Sequence, residues 1–103
     1  MPEQKRSGCN SRTQVTQVVR YMKVLANAER MLVMCSISRE PHSVNELQEI
    51  TGLSQPALSM HLARLREEEM VTTEKSGRHV YYRIGDDRLA DLVQYVCQRF
   101  SCQ

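Results

Sequence analysis

Apolar residues recur every three or four positions over most of the chain, with one stretch of period two in its second half. The first helical pattern begins near Arg12-Thr13 and carries Val15, Val18, Val19, Met22 and Leu25. Asn27 is a cap for a second helix over 28–38, with Leu32, Cys35 and Ile37 among its inward positions. Pro41-His42 marks a loop. Ser43, with Glu46 three residues on, forms a capping box that opens a third helix bearing Val44, Leu47 and Ile50. Gly52 ends it in the manner of a left-handed C-terminal residue. Ser54 then caps a fourth helix, Pro56 occupies its first turn, and Leu58, Leu62 and Leu65 carry it to about Glu69. Residues 71–75 and 79–84 read as strands joined by a tight turn at Ser76-Gly77. Asp86 caps a last helix whose stripe is Leu89, Leu92, Val93, Val96 and Phe100.

The expected fold class is therefore mainly α with a β-hairpin wing. Residues 43–66 form a helix, a short turn and a second helix, the helix-turn-helix pattern. On a wheel of about 100° per residue, Leu58, Leu62 and Leu65 share one side. Pro56, Ser59, Met60 and Ala63 share the other, with Arg64 beside them. Such slim side chains suit a major groove about 12 Å wide. Gln55 and Ser59 can hydrogen-bond base edges or phosphates, and Arg64 can pair with phosphate. The helix start behind Ser54 offers backbone N–H groups to a further phosphate. An ordinary helical hairpin with a small solvated face gives the same pattern. The hairpin tip that follows favours DNA, because it is basic, with Lys75 and Arg78 placed to contact the minor groove or the backbone. His61 flanks the leucine stripe and reads as structural; His42 and His79 are too scattered for a metal site. Glu67-Glu68-Glu69 reads as a solvated turn that keeps this end of the helix off phosphate.

Composition narrows the picture further. The 103 residues suit one domain, taken as 13–103, behind a polar, basic arm of residues 1–12 expected to be flexible. So small a core gains from a second subunit. A formal net charge of +2 leaves the placement of charge, not its sum, to decide about polyanions. No apolar run approaches a membrane span, and none follows the basic N-terminus, so the expectation is a cytoplasmic protein with no membrane contact and reduced thiols. Cys9, Cys35, Cys97 and Cys102 contain no Cys-x-x-Cys pair, which excludes a zinc ribbon or a thioredoxin motif. A nucleophile elbow, a P-loop and a Gly-rich dinucleotide turn are also missing, so neither an enzyme nor a cofactor is expected. Four Tyr and one Phe give no clear stacking platform for single-stranded RNA.

Three runs carry a resemblance: Leu25-Ala26-Asn27-Ala28-Glu29-Arg30, Leu53-Ser54-Gln55-Pro56-Ala57-Leu58-Ser59-Met60-His61-Leu62, and Val80-Tyr81-Tyr82-Arg83-Ile84. Over roughly residues 13–100 the chain resembles the ArsR/SmtB bacterial repressors. That resemblance implies a winged helix-turn-helix homodimer, with the first and last helices at the dimer interface. It also implies binding to palindromic double-stranded operator DNA, with release by an inducer. The family's metal motifs do not carry over. The arsenic- and lead-type Cys-x-Cys would fall at the start of the third helix, which reads Val44-Asn45-Glu46-Leu47. The zinc-type ligands would lie on the last helix, where Asp87 and Asp91 stand without a following His.

What remains resembles the dithiol, sulfide- and persulfide-responsive branch (BigR/SqrR/HlyU-like), which has one cysteine in the second helix and one near the end of the last. Cys35 fits the first place. Phe100-Ser101-Cys102-Gln103 resembles the branch's aromatic-then-cysteine ending, which favours Cys102, but it is one residue longer, and that offset keeps Cys97 as an alternative partner. The implied inducer is a reactive sulfur species or oxidant that bridges the pair. The alternative is a soft metal or metalloid ion bound by the thiols. Taken without the resemblance, Cys35 and Cys97 read as small packing residues, and Cys9 as dispensable.

Overall fold

A computed structural model describes residues 11–100. In it α1 (Arg12–Leu25) leads to α2 (Ala28–Ile37), α3 (Val44–Thr51) and α4 (Gln55–Glu67). The antiparallel hairpin of β1 (Val71–Ser76) and β2 (His79–Ile84) follows, and then α5 (Asp87–Arg99). This is the expected mainly α fold with a wing. Of the predicted arm, residues 1–10 lie outside the described residues, and Arg12 already opens α1.

The four predicted caps all form. Asn27 Oδ1 accepts from Arg30 N at 2.9 Å, Ser54 Oγ from Ala57 N at 3.2 Å, and Asp86 Oδ1 from Arg88 N at 2.8 Å. Ser43 Oγ accepts from Glu46 N at 3.2 Å while Ser43 N donates to Glu46 Oε1 at 3.2 Å, which closes the capping box. His42 Nδ1 adds a bond to the same carboxylate at 2.9 Å. The His42 bond, then the Ser43 amide, holds the Glu46 carboxyl below its ordinary 4.5. A depressed carboxyl stabilises the fold above its unfolded-state pKa, and the gain fades as pH falls through the folded value. Glu46→Gln is therefore expected to lower Tm at neutral pH, with the deficit closing as the pH drops through the carboxylate range. Thermal unfolding of both proteins across pH checks this.

The core gathers around α2, which packs against α1, α3, α4, α5 and β2. Val33, Met34 and Ile37 of α2 meet Leu47, Leu58, Leu62 and Leu65 of the helix-turn-helix. Met70, Val71, Ile84, Leu89 and Val93 close the other side, and Tyr21, Val24 and Leu25 contribute from the end of α1. Leu32, expected inside, is exposed, because α2 turns Val33, Met34 and Ile37 inward and Leu32 falls outside that arc. The α1 stripe is also exposed: Val15, Val18, Val19 and Met22 keep between 44% and 48% of their surface open. Phe100, expected on the α5 stripe, stands just past the helix end and is exposed.

Gly52 ends α3 with φ 76°, and its N–H donates to Gln48 O at 2.9 Å. An added Cβ would meet no atom within 4 Å, so the cost of a side chain there is that of the backbone alone. Gly52→Ala is expected to destabilise by about 1–2 kcal/mol, several degrees of Tm in a domain of this size. A thermal melt against the parent protein measures it.

The hairpin pairs Val71 with Ile84 through Ser76 with His79. Its loop is therefore Gly77-Arg78, not the predicted Ser76-Gly77. Gly77 has φ 64°, whereas Arg78 is not left-handed, the pattern of a type II′ turn that matches strand twist. His42 N and O both bond Tyr82, at 3.1 and 2.8 Å, so the loop before α3 forms a short third rung on β2.

Candidate functional site

The turn between α3 and α4 is set by short polar contacts. Thr51 Oγ1 donates to Leu47 O at 2.6 Å and accepts from Leu53 N at 3.1 Å. Leu53 packs against the core, and Ser54 then starts α4 in extended backbone. Pro56 brings no N–H, and the N–H of Ala57 is taken by the Ser54 cap. The backbone N–H groups of Ser54 and Gln55 have no hydrogen-bond partner among the described residues, so donors remain at this helix start.

Along α4, Leu58, His61, Leu62 and Leu65 are buried. Ser54, Gln55, Pro56, Ser59, Met60, Ala63 and Arg64 are exposed. The slim face expected to meet DNA is thus open to solvent. His61 is fixed from below: its Nε2 lies 2.8 Å from Glu29 Oε1 in the first turn of α2, while Nδ1 has no partner among the described residues. That bond pins the middle of α4 to the start of α2. Glu29 was not singled out from sequence, because its partner lies 32 residues away and no local pattern marks the pair.

Arg64 shares Glu68 with Arg20. Arg64 Nε is 3.5 Å from Glu68 Oε2, and Arg20 Nη1 is 3.5 Å from Glu68 Oε1. Glu68 is therefore not merely solvated: it links the end of α4 to α1 and holds Arg64, which remains half exposed. On the wing, Lys75 and Arg78 are exposed, and neither joins an ion pair among the described residues. Arg83 instead leans on Glu74 at 3.8 Å.

The second feature is a sulfur bond. Cys35, near the end of α2, and Cys97, in the last turn of α5, form a disulfide with their Cα atoms 6.1 Å apart. Both side chains are partly buried against the core. The chain was expected to hold reduced thiols, with Cys102 favoured over Cys97 as the partner of Cys35. The described residues bring together Cys35 and Cys97, while Cys9 and Cys102 lie outside them. The fold places α5 across α2, so the inward edge of α5 carries Cys97 to Cys35. Among the described residues no group of three or more His, Cys, Asp or Glu side chains gathers as a metal site, and no helix is long and apolar enough to cross a membrane.

A capped helix-turn-helix with an open slim face, backed by a hairpin wing, is the architecture of DNA-binding transcriptional regulators. Comparison with known proteins makes this specific. Residues 27–73 match the family described as bacterial regulatory protein, arsR family. The HTH-type transcriptional regulator KmtR of Mycobacterium tuberculosis is 39% identical over 80 residues, covering 78% of this chain and 62% of that protein. The biofilm growth-associated repressor of Xylella fastidiosa is 31% identical over 87 residues, covering 84% of this chain and 76% of that protein. The structure of reduced HlyU from Vibrio cholerae superposes with a TM-score of 0.78 at 32% identity, covering 88% of this chain and 95% of that one. The chain belongs to the ArsR family.

Proposed function

We propose that the protein is a homodimeric repressor that binds palindromic operator DNA and leaves it when reactive sulfur species bond Cys35 to Cys97. The observation that carries the switch is the juxtaposition of these two cysteines across α2 and α5. A Cα separation of 6.1 Å suits a direct disulfide, and a longer sulfur bridge relaxes the limit.

The reading face is that of α4, with Gln55, Ser59 and Met60 toward base edges. Arg64 and the wing residues Lys75 and Arg78 serve the phosphates. The dimer reading rests on α1. Val15, Val18, Val19 and Met22 stand at i, i+3, i+4 and i+7, a single exposed apolar stripe that a second subunit would cover. Tyr95 and Phe100 extend the apolar surface at the end of α5.

A bond at the C-terminal end of α5 fixes that helix against α2. Because α5 shares the dimer interface in this reading, the bond alters the spacing of the two α4 helices, which must sit about 34 Å apart on successive turns of a duplex. A penalty of about 1–3 kcal/mol on the DNA-competent arrangement lowers affinity up to about 150-fold.

Peptide mapping of tetrasulfide-treated protein tests the chemistry. The expected product is a Cys35–Cys97 peptide pair joined by one or more sulfurs. A Cys35–Cys102 pair would overturn the partner and leave the switch. A mass gain lost to chelator, with both thiols intact, would replace it by a thiol-bound metal ion.

A further inference from the structure

Beside the Cys35–Cys97 bond lies a cleft of about 400 Å³, lined by Cys35, Ser38, Arg39, Gln94, Cys97 and Gln98. Its size is within the range of small-ligand sites. The end of α2 and the residues just after it supply Cys35, Ser38 and Arg39. One face of α5 supplies Gln94, Cys97 and Gln98, at i, i+3 and i+4. The two amides and the Ser38 hydroxyl offer hydrogen bonds, and among the described residues no carboxylate lines the cleft. Arg39 is its one cation and joins no ion pair among the described residues.

The surrounding backbone makes that cation matter. Cys35 and Cys97 each sit at the C-terminal end of a helix, where the helix dipole is negative and repels anions. Persulfides and polysulfides are anions at neutral pH, and so are the small peptides that carry them. An uncompensated cleft would disfavour them. We propose that this cleft is the reactant site of the thiol switch and that Arg39 docks an anionic sulfane-sulfur donor there. The inference rests on the sulfur-switch reading and adds where the sulfur donor docks, the charge it must carry and the residue that selects it.

The chemistry balances without another reagent. In the reduced protein one cysteine thiolate attacks the outer sulfur of the donor. The donor's S–S bond breaks and the shortened thiolate leaves. The second cysteine attacks the cysteine sulfur of the protein persulfide, forms the Cys35–Cys97 bond and expels hydrosulfide. Two electrons pass from the dithiol to the sulfane sulfur, and the two thiol protons leave with the released thiolate and hydrosulfide.

The test uses the full reduced chain and its Arg39→Gln and Arg39→Lys variants. Loss of the Cys35 and Cys97 thiols is followed by alkylation and mass spectrometry. The reagents are inorganic tetrasulfide, glutathione persulfide and the neutral oxidant diamide. Arg39 is exposed, so folding is preserved. Arg39→Gln is expected to slow the anionic donors about tenfold, Arg39→Lys to restore most of the rate, and diamide to react alike with all three. Slowing of both donors, or of one alone, supports the site and identifies its source of sulfur. Equal rates for the parent and Arg39→Gln with both donors overturn it, as does equal slowing with diamide. Because the readout is thiol loss, a bond that forms normally without releasing DNA contradicts the switch while leaving the docking site intact. A parent protein that forms no bond with any reagent removes both.

Discussion

Exchanging Ser59 and Arg64 together for glutamate is expected to cost at least about a hundredfold in operator affinity, since like charges facing one another across an interface cost several kcal/mol. Both side chains stand on the open face of α4, opposite Leu58, Leu62 and Leu65. The change places two negative groups where phosphates would lie and removes one positive group. It leaves the core untouched. The lost Arg64–Glu68 contact is a half-exposed i,i+4 pair and contributes little to folding. An unchanged circular dichroism spectrum and melt would therefore accompany the loss of binding. The residual binding should also depend less steeply on salt, because a phosphate contact is gone. Unchanged affinity in the folded double variant would mean that α4 does not meet the duplex.

The second large effect concerns release. Cys97→Ser, and equally Cys35→Ser, is expected to bind operator like the reduced parent and to keep binding after tetrasulfide. The parent should weaken by up to about 150-fold under the same treatment. Serine is close in size to cysteine and the sites are only partly buried, so the fold should survive. Cys102→Ser and Cys9→Ser should release like the parent. If Cys102→Ser, rather than Cys97→Ser, blocked release, the pairing drawn from the fold would be wrong and the family-like ending at Phe100-Ser101-Cys102 would be the true second site.

How far the chain could be read beforehand depended on whether each feature is local. Caps are local. Asn27, Ser43, Ser54 and Asp86 each bond an amide two or three residues on, so residue type and spacing suffice to find them. The Gly52 turn and the leucine side of α4 were legible for the same reason. Burial in a short helix is not local. α2 has apolar residues on several sides, and only the arrangement of α1, α3, α4 and α5 around it decides that Val33 and Met34 go in while Leu32 stays out. Tyr21 shows the same limit. It is buried, with its hydroxyl accepting from Gln17 at 2.9 Å and 3.5 Å from Asp86 at the start of α5, a contact that no helical period announces. The α1 stripe is legible as apolar, but its amphipathic pattern does not say that the rest of this chain leaves it exposed.

The site divides along the same line. The eight positions expected at DNA (Ser54, Gln55, Pro56, Ser59, Met60, Arg64, Lys75 and Arg78) are all open to solvent. What fixes α4 from behind was not legible. The Glu29–His61 and Arg20–Glu68 contacts join residues far apart in sequence, and Glu68 passes the second on to Arg64, four residues before it. The sulfur pair was legible only in part. Resemblance pointed to Cys35, but choosing its partner needs the crossing of α5 over α2, and that crossing brings in Cys97.

The most direct test follows one preparation through reduction, tetrasulfide treatment and re-reduction. Operator affinity and the fraction of Cys35–Cys97 bonded would be measured at each stage. The account predicts that affinity falls in proportion to the bonded fraction and returns in full on reduction. Protein that is wholly bonded yet grips its operator as tightly as the reduced form would contradict it.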